Sequence, residues 1–189
     1  MSTITSTIKQ LEANIKGLKA TAAAEAAFKK LSKPMKRVAI AQDVIASLKA
    51  KQLTAQARNY LTVDDGALHT NFQTALALGQ KCTACALGSL FVCAVKVQND
   101  VCTEDAEYAA EQVSVHGYLS DIFSVEQLSL IETAFECSAA DVPGLLADDE
   151  DPSDAFNKAI AFGHRYESDH TRMVAIMKNI IKHEGTFVP

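Results

Sequence analysis

The stretch KCTACALGSLFVCAVK, residues 81–96, decides the fold, because only small or apolar residues lie between its two terminal lysines. This run, residues 82–95, has 14 residues, whereas a membrane-spanning helix needs about 20. A short segment that is apolar on every side belongs in the interior of a domain. We therefore predict a buried helix over residues 82–98, which the other helices surround.

The flanking segments also favour helices. The chain has 189 residues, of which 48% are hydrophobic and 22% charged, with only eight glycines and four prolines. This composition is typical of a globular domain and unfavourable for a disordered chain. Ser32 and Pro34 begin a second helix, Ser124 and Gln127 form a capping box, and Ser168 begins the last helix.

The predicted fold class is all-α, a single-domain bundle of six to eight helices around the central helix. We divide it into an amphipathic, basic N-terminal helix, residues 1–31, which is either a detachable arm or packed on the core, and a helical core domain, residues 32–189. The N-terminal helix repeats apolar residues at alternating steps of three and four, a heptad pattern. Its narrow apolar face, the N-terminal seam, either packs on the chain's own domain or binds a partner helix, and comprises Ile8, Leu11, Ile15 and Leu18.

Charge is divided unequally along the chain. Residues 1–61 contain eleven basic and three acidic residues, a net charge of +8, whereas residues 62–189 carry −13. The sharpest basic cluster is Lys29, Lys30, Lys33, Lys36 and Arg37. Three interpretations stay open, namely a solvated or self-paired face, a protein partner, and a nucleic acid. Nucleic acid is less favoured, because Phe28 and Tyr60 are among few aromatic residues available for stacking on bases.

The cysteines form one recognisable motif, a C-x-x-C at Cys82 and Cys85. In redox proteins this motif follows a strand and opens a helix, but here we expect a helix before it. Cys93 lies roughly 16 Å further along the predicted helix, so it cannot share a metal with Cys82. We predict core cysteines, with a thiol- or metal-dependent enzyme using Cys82 and Cys85 as the alternative.

Other catalytic patterns are incomplete. Glu167 and His170 form one E-x-x-H, where a di-iron centre needs two such motifs and two further glutamates. The acidic run 148–154 lacks the glycine of a calcium-binding loop. The sequence contains no phosphate-binding glycine motif and no nucleophile elbow. We predict no cofactor and no catalytic residue.

Three segments resemble a set of uncharacterised bacterial and phage-borne helical proteins. They are RVAIAQDV at 37–44, CTACALGSLF at 82–91, and NII with GTFVP at 179–181 and 185–189. The resemblance covers about a quarter of the chain in our reading. It implies a phage-related or mobile-element-related accessory protein, and it implies neither an activity nor any site residues.

These observations favour a non-catalytic binding or regulatory protein that acts on a protein partner, with a second copy of the chain as one candidate partner. The basic cluster would steer the partner electrostatically, and the N-terminal seam would bind it or a second copy. We expect a cytoplasmic location, because the N-terminus lacks a signal pattern and the five cysteines are an odd number. We expect no membrane insertion.

Overall fold

The computed structural model describes residues 23, 25–63, 81–98, 117–138 and 154–189. Side chains are described to residue 62 in the range 25–63 and to residue 95 in the range 81–98. Most of these residues are helical. Residues 25–29 and 117–119 form short helical stretches. The longer helices are α1 (Lys33–Lys49), α2 (Ala86–Gln98), α3 (Val125–Glu136), α4 (Asp154–Gly163) and α5 (Asp169–Lys182).

A small sheet corrects the all-α prediction. Its strands are β1 (Leu53–Ala55), β2 (Leu61–Val63) and β3 (Cys82–Ala84), in the order β1-β3-β2. Strand β3 pairs parallel with β1 and antiparallel with β2, so Ala84 lies opposite both Ala55 and Leu61. Strands of three residues are too short to show an alternating pattern, which is why the sequence did not reveal them.

The central helix starts later than predicted. Residues 82–84 are strand, and α2 begins at Ala86. Every residue from Ala84 to Val95 is buried, so the prediction that this segment lies in the core is confirmed. A loop approaches this helix closely at Gly88, where a Cβ would lie 1.7 Å from the Tyr60 carbonyl oxygen.

The predicted helix starts are confirmed at three serines. Ser32 precedes α1, with Pro34 in the first turn. Ser124 Oγ accepts a hydrogen bond from the Gln127 N–H at 3.2 Å, and Ser168 forms a reciprocal capping box with Thr171. Capping is a local interaction, and a short stretch of sequence is therefore enough to reveal it.

The N-terminal seam lies outside the described residues, and so does most of the acidic run 148–154. The boundary at residues 31 and 32 stays a prediction. Phe28, four residues before that boundary, is buried in the same core as α1 and α5. Among the described helices, none is both long enough and apolar enough to cross a bilayer.

Candidate functional site

The predicted basic cluster lies at a turn between two helices. The Leu31 N–H donates to the Phe28 carbonyl, and the Lys36 N–H donates to the Ser32 carbonyl, which closes the turn between residues 25–29 and α1. Lys36 Nζ lies 5.7 Å from the centre of the Phe28 ring. We call the four lysines at this turn the basic corner, and they are Lys29, Lys30, Lys33 and Lys36.

Most of the charge at the basic corner faces solvent. Lys29 pairs with Glu25 at 2.7 Å within one helix. Lys30 and Lys33 are exposed, Lys36 is half-buried, and none of these three forms an ion pair with a described carboxylate. Met35 beside them is 49% exposed. An exposed methionine among unneutralised lysines suits a surface that both attracts and packs against a partner.

Arg37, the fifth residue of the predicted cluster, has a different role. Its Nε donates to the Ile122 carbonyl at 2.7 Å, and Nη1 donates to the Gly185 carbonyl at 3.2 Å. Partial burial lowers the pKa of its guanidinium. The Arg37 guanidinium therefore connects three segments of the chain. We assign Arg37 a structural role and do not include it in the contact surface.

The contacts of Arg37 bring the C-terminal segment to the basic corner. We call residues 185–189 the tail. A Cβ on Gly185 would lie 2.4 Å from the Pro34 carbonyl oxygen, so the tail starts against the first turn of α1. Val188 in the tail is 46% exposed, and Val125, close to the tail's partner Gln127, is 58% exposed. All three large exposed apolar side chains among the described residues thus lie on segments that meet at this end.

The cysteine pair has part of the geometry of a redox motif. Cys82 opens β3, and Cys85 immediately precedes α2, so the motif joins a strand to a helix. The residues expected to form a helix before it lie outside the described part of the chain. The Leu87 and Gly88 N–H groups lower the pKa of the Cys85 thiol. Even so, burial dominates and, with the nearby carboxylates of Glu136 and Glu132, raises this pKa to about 12.

A thiolate at neutral pH is therefore disfavoured at Cys85. Cys82 and Cys85 are only 1% and 2% exposed. Reactive cysteines combine exposure with a lowered pKa, and Cys85 has neither. The structure thus agrees with the interpretation of this pair as core cysteines.

A loop that the sequence did not reveal covers Cys85. Residues 56–60, which we call the covering loop, pass over the end of β3, and the Cys85 N–H donates to the Asn59 carbonyl. The Arg58 N–H donates to both carboxylate oxygens of Glu136, at 3.1 and 3.0 Å. The preceding N–H, of Ala57, donates to Asp169 Oδ2 at 2.7 Å.

A third carboxylate lies beneath the covering loop. Glu132 is 3% exposed, and its Oε1 accepts a hydrogen bond from the Tyr60 hydroxyl at 3.0 Å. Phe28 and Tyr60 are the two aromatic residues considered for base stacking. Phe28 is buried, and Tyr60 is half-buried with its hydroxyl bonded to Glu132. This arrangement gives no support to single-strand binding.

The remaining candidates do not converge. Glu167 and His170 are both exposed at the start of α5. Within the described part of the chain, no three His, Cys, Asp or Glu side chains are grouped so that they could hold a metal ion. The basic corner is therefore the candidate site with the clearest geometry.

Comparison of the chain with protein-family models, with curated proteins and with solved structures finds no significant match. The resemblance to bacterial and phage-borne proteins stays a prediction. The functional argument consequently depends on the physical chemistry of this chain's own residues.

Proposed function

We propose that this chain is a non-catalytic, cytoplasmic binding protein that recognises an acidic surface of a protein partner through the basic corner. The observation that carries the proposal is the set of lysines at residues 30, 33 and 36, which form no ion pair with a described carboxylate and lie close in the chain to the exposed Met35. Concentrated positive charge speeds encounter with an acidic partner, and apolar contact then slows dissociation.

The choice of an acidic protein over a nucleic acid follows from the neighbours of the lysines. Nucleic-acid interfaces combine phosphate contacts with stacking aromatic rings or base-reading side chains. The described residues close to these lysines include Met35, which is apolar and exposed, and Phe28, which is buried. Apolar side chains beside a charged rim are common at protein interfaces.

A charge-reversal experiment tests the proposal. The full chain, the double variant Lys30→Glu/Lys33→Glu and the control variant Lys49→Glu/Lys178→Glu are immobilised and exposed to a nuclease-treated extract of the native host. Both double variants change the net charge equally, but Lys49 and Lys178 are exposed lysines outside the basic corner. Proteins retained by the wild type are identified by mass spectrometry, purified and titrated calorimetrically.

We expect an acidic protein to bind the wild type and the control, and to bind the Lys30/Lys33 variant at least about tenfold more weakly, which is about 1.4 kcal/mol. The difference should shrink as salt is added, because exposed charges are screened. Equal binding to both double variants would refute the proposal. Retention that depends on the lysines but disappears with nuclease would replace the protein partner with a nucleic acid.

The thiol-enzyme alternative has its own test. Titration of the native protein with a thiol reagent should leave Cys82 and Cys85 unmodified until the protein unfolds, because both are buried. Rapid native modification of either residue would restore the enzyme hypothesis.

A further inference from the structure

Side chains of the helices bind the backbone of the tail, which is also how a receptor binds an extended peptide. Gln127 Oε1 accepts from the Phe187 N–H at 2.6 Å, and Gln127 Nε2 donates to the Phe187 carbonyl at 3.3 Å. Asn179 does the same for the next residue, with Oδ1 accepting from the Val188 N–H at 2.9 Å and Nδ2 donating to its carbonyl at 2.7 Å. The two side-chain amides thus hydrogen-bond both the N–H and the carbonyl group of two successive tail residues.

A buried ring fixes the register of the tail. Phe187 is 2% exposed, and its ring meets that of Phe162 edge to face at 5.3 Å between centroids. The amide contacts are independent of the tail's side chains, since they involve only its backbone. Any selectivity of this groove therefore depends on the pocket that receives Phe187.

The tail is attached through a short connection with unusual backbone conformation. Glu184 and Gly185 both have positive φ, 51° and 93°. The Gly185 N–H still donates to the Ile180 carbonyl, which ends α5 in the left-handed manner common at helix C-termini. The backbone after Gly185 could therefore leave the groove while α5 itself stays in place.

We propose that the groove formed by Gln127, Phe162 and Asn179 is a binding site for an extended peptide segment of the protein partner, with a phenylalanine as its anchor, and that the tail occupies this site in cis until the partner displaces it. This inference rests on the proposed function, since it names the segment that the partner inserts. The site adjoins the basic corner through the Gly185–Pro34 contact.

The position of the basic corner explains how a partner peptide could displace the tail, although the tail is covalently attached to the protein. A tethered segment competes at an effective concentration of the order of mM. A partner peptide that has acidic residues beside its phenylalanine gains additional contacts with the lysines, which residues 185–189 cannot make because none of them is acidic. The expected ligand is therefore an extended, acidic segment with one phenylalanine and free N–H groups at that residue and the next.

Nuclear magnetic resonance of the full chain tests the site directly. The probes are the peptide Gly-Thr-Phe-Val-Pro, acetylated at its N-terminus and amidated at its C-terminus, which copies residues 185–189, and the same peptide with alanine for phenylalanine. The proteins are the wild type and Phe187→Ala, whose own tail has lost its anchor. The side-chain amide signals of Gln127 and Asn179 report occupancy of the groove.

We expect the phenylalanine peptide to shift both amide signals of Phe187→Ala saturably, and to bind the wild type at least about tenfold more weakly. The alanine peptide should also bind at least about tenfold more weakly than its parent. Absence of binding to a folded Phe187→Ala protein, or equal affinity for both peptides, would overturn the inference.

Hydrogen exchange of the wild type decides the matter even if Phe187→Ala fails to fold. The Phe187 and Val188 amides should exchange through a local opening that is faster than exchange of core amides in α3 and insensitive to low denaturant. Exchange of these two amides only through global unfolding would show that the tail is a fixed part of the core, and would equally overturn the inference.

The two proposals fail separately. The probe peptide has no acidic residue, so its binding is independent of Lys30 and Lys33. If the peptide fails to bind while the Lys30/Lys33 variant still loses an acidic partner, only the peptide site is wrong. If the peptide binds while charge reversal has no effect, the acidic partner is wrong and the groove remains a peptide site.

Discussion

The covering loop and the tail are two irregular segments held by side chains of opposite chemistry. Carboxylates of Glu136 and Asp169 hold the covering loop by accepting from two successive N–H groups. The neutral amides of Gln127 and Asn179 hold the tail by pairing with both N–H and carbonyl groups. The first arrangement suits a turned backbone whose N–H groups point the same way, and the second suits an extended one.

This difference separates a segment that belongs to the core from one that can be exchanged. The covering loop connects β1 to β2, and its Tyr60 carbonyl lies against Gly88 of the buried helix α2. The loop therefore cannot leave without disturbing the sheet. The tail, by contrast, is held by two side-chain amides and follows a change of backbone direction at Glu184 and Gly185. Substitutions beneath the covering loop should therefore affect global stability, and substitutions beneath the tail should act locally.

Gly88→Ala should give the largest effect. The new methyl group would lie 1.7 Å from the Tyr60 carbonyl oxygen, and overpacking against backbone should lower the free energy of unfolding by about 3 kcal/mol or more. Gly117→Ala is the matched control, since a Cβ there meets no atom within 4 Å. Urea unfolding of both variants measures the difference, and equal stabilities would show that the covering loop is readily displaced.

Gly185→Ala should have a smaller and more local effect. Its positive φ and its 2.4 Å contact with the Pro34 carbonyl oxygen both oppose a side chain, at a cost of about 2 kcal/mol. We expect faster exchange of the Phe187 and Val188 amides with little change in α3 amides. Uniform acceleration across the molecule would contradict the distinction between loop and tail.

Cys85, beneath the covering loop, should make stability depend on pH in the alkaline range. Its pKa is raised from 9.0 to about 12 in the folded protein, so the unfolded chain loses the thiol proton first. The free energy of unfolding therefore falls as pH rises through this interval, by at most about 1.4 kcal/mol per pH unit. Below this range the thiol is protonated in both states and the contribution is constant.

The variant Cys85→Ala isolates that contribution, because all other titrating groups are shared with the wild type. The difference between the two stabilities, measured by urea unfolding at a series of pH values, should change only at alkaline pH. Parallel curves throughout would mean that the thiol is not buried as the structure describes.

Replacing the carboxylate beneath the covering loop by an amide, and the amide beneath the tail by a carboxylate, should give the smallest effects. Glu136→Gln leaves one acceptor where Arg58 N–H had two, and Gln127→Glu removes the donor to the Phe187 carbonyl. Glu136→Gln should lower the free energy of unfolding by about 1 kcal/mol. Gln127→Glu should instead speed exchange of the Phe187 and Val188 amides by about fivefold, which corresponds to the same energy, with little change in α3 amides. Glu167→Gln and Gln42→Glu, at exposed positions, are controls with the same chemical changes. Effects as large in these controls would show that the contacts of Glu136 and Gln127 are not the cause.

Sequence alone predicted the features that depend on neighbouring residues. Ser124 and Ser168 located the starts of α3 and α5, and the apolar run located the buried segment. The sheet was missed, because Leu53 and Cys82 are far apart in the sequence and their pairing is decided by the folded backbone. Gln127 was read as half of a capping box, although its side chain binds the tail instead.

The basic corner was predicted from charge density, but the separate role of Arg37 was not. Only the folded chain brings the Ile122 and Gly185 carbonyls to its guanidinium. A glycine with a following apolar stretch at residues 185–188 was a usable signal for a packed tail, since a glycine that ends a helix is often followed by a hydrophobic contact.

The contact between Pro34 and Gly185 has a consequence for labelling experiments. Because the backbone of the first turn of α1 and the backbone after α5 meet, two fluorophores attached at the exposed positions Lys33 and Thr186 would lie close together while the tail is bound. A change in the distance between them would report directly on release of the tail.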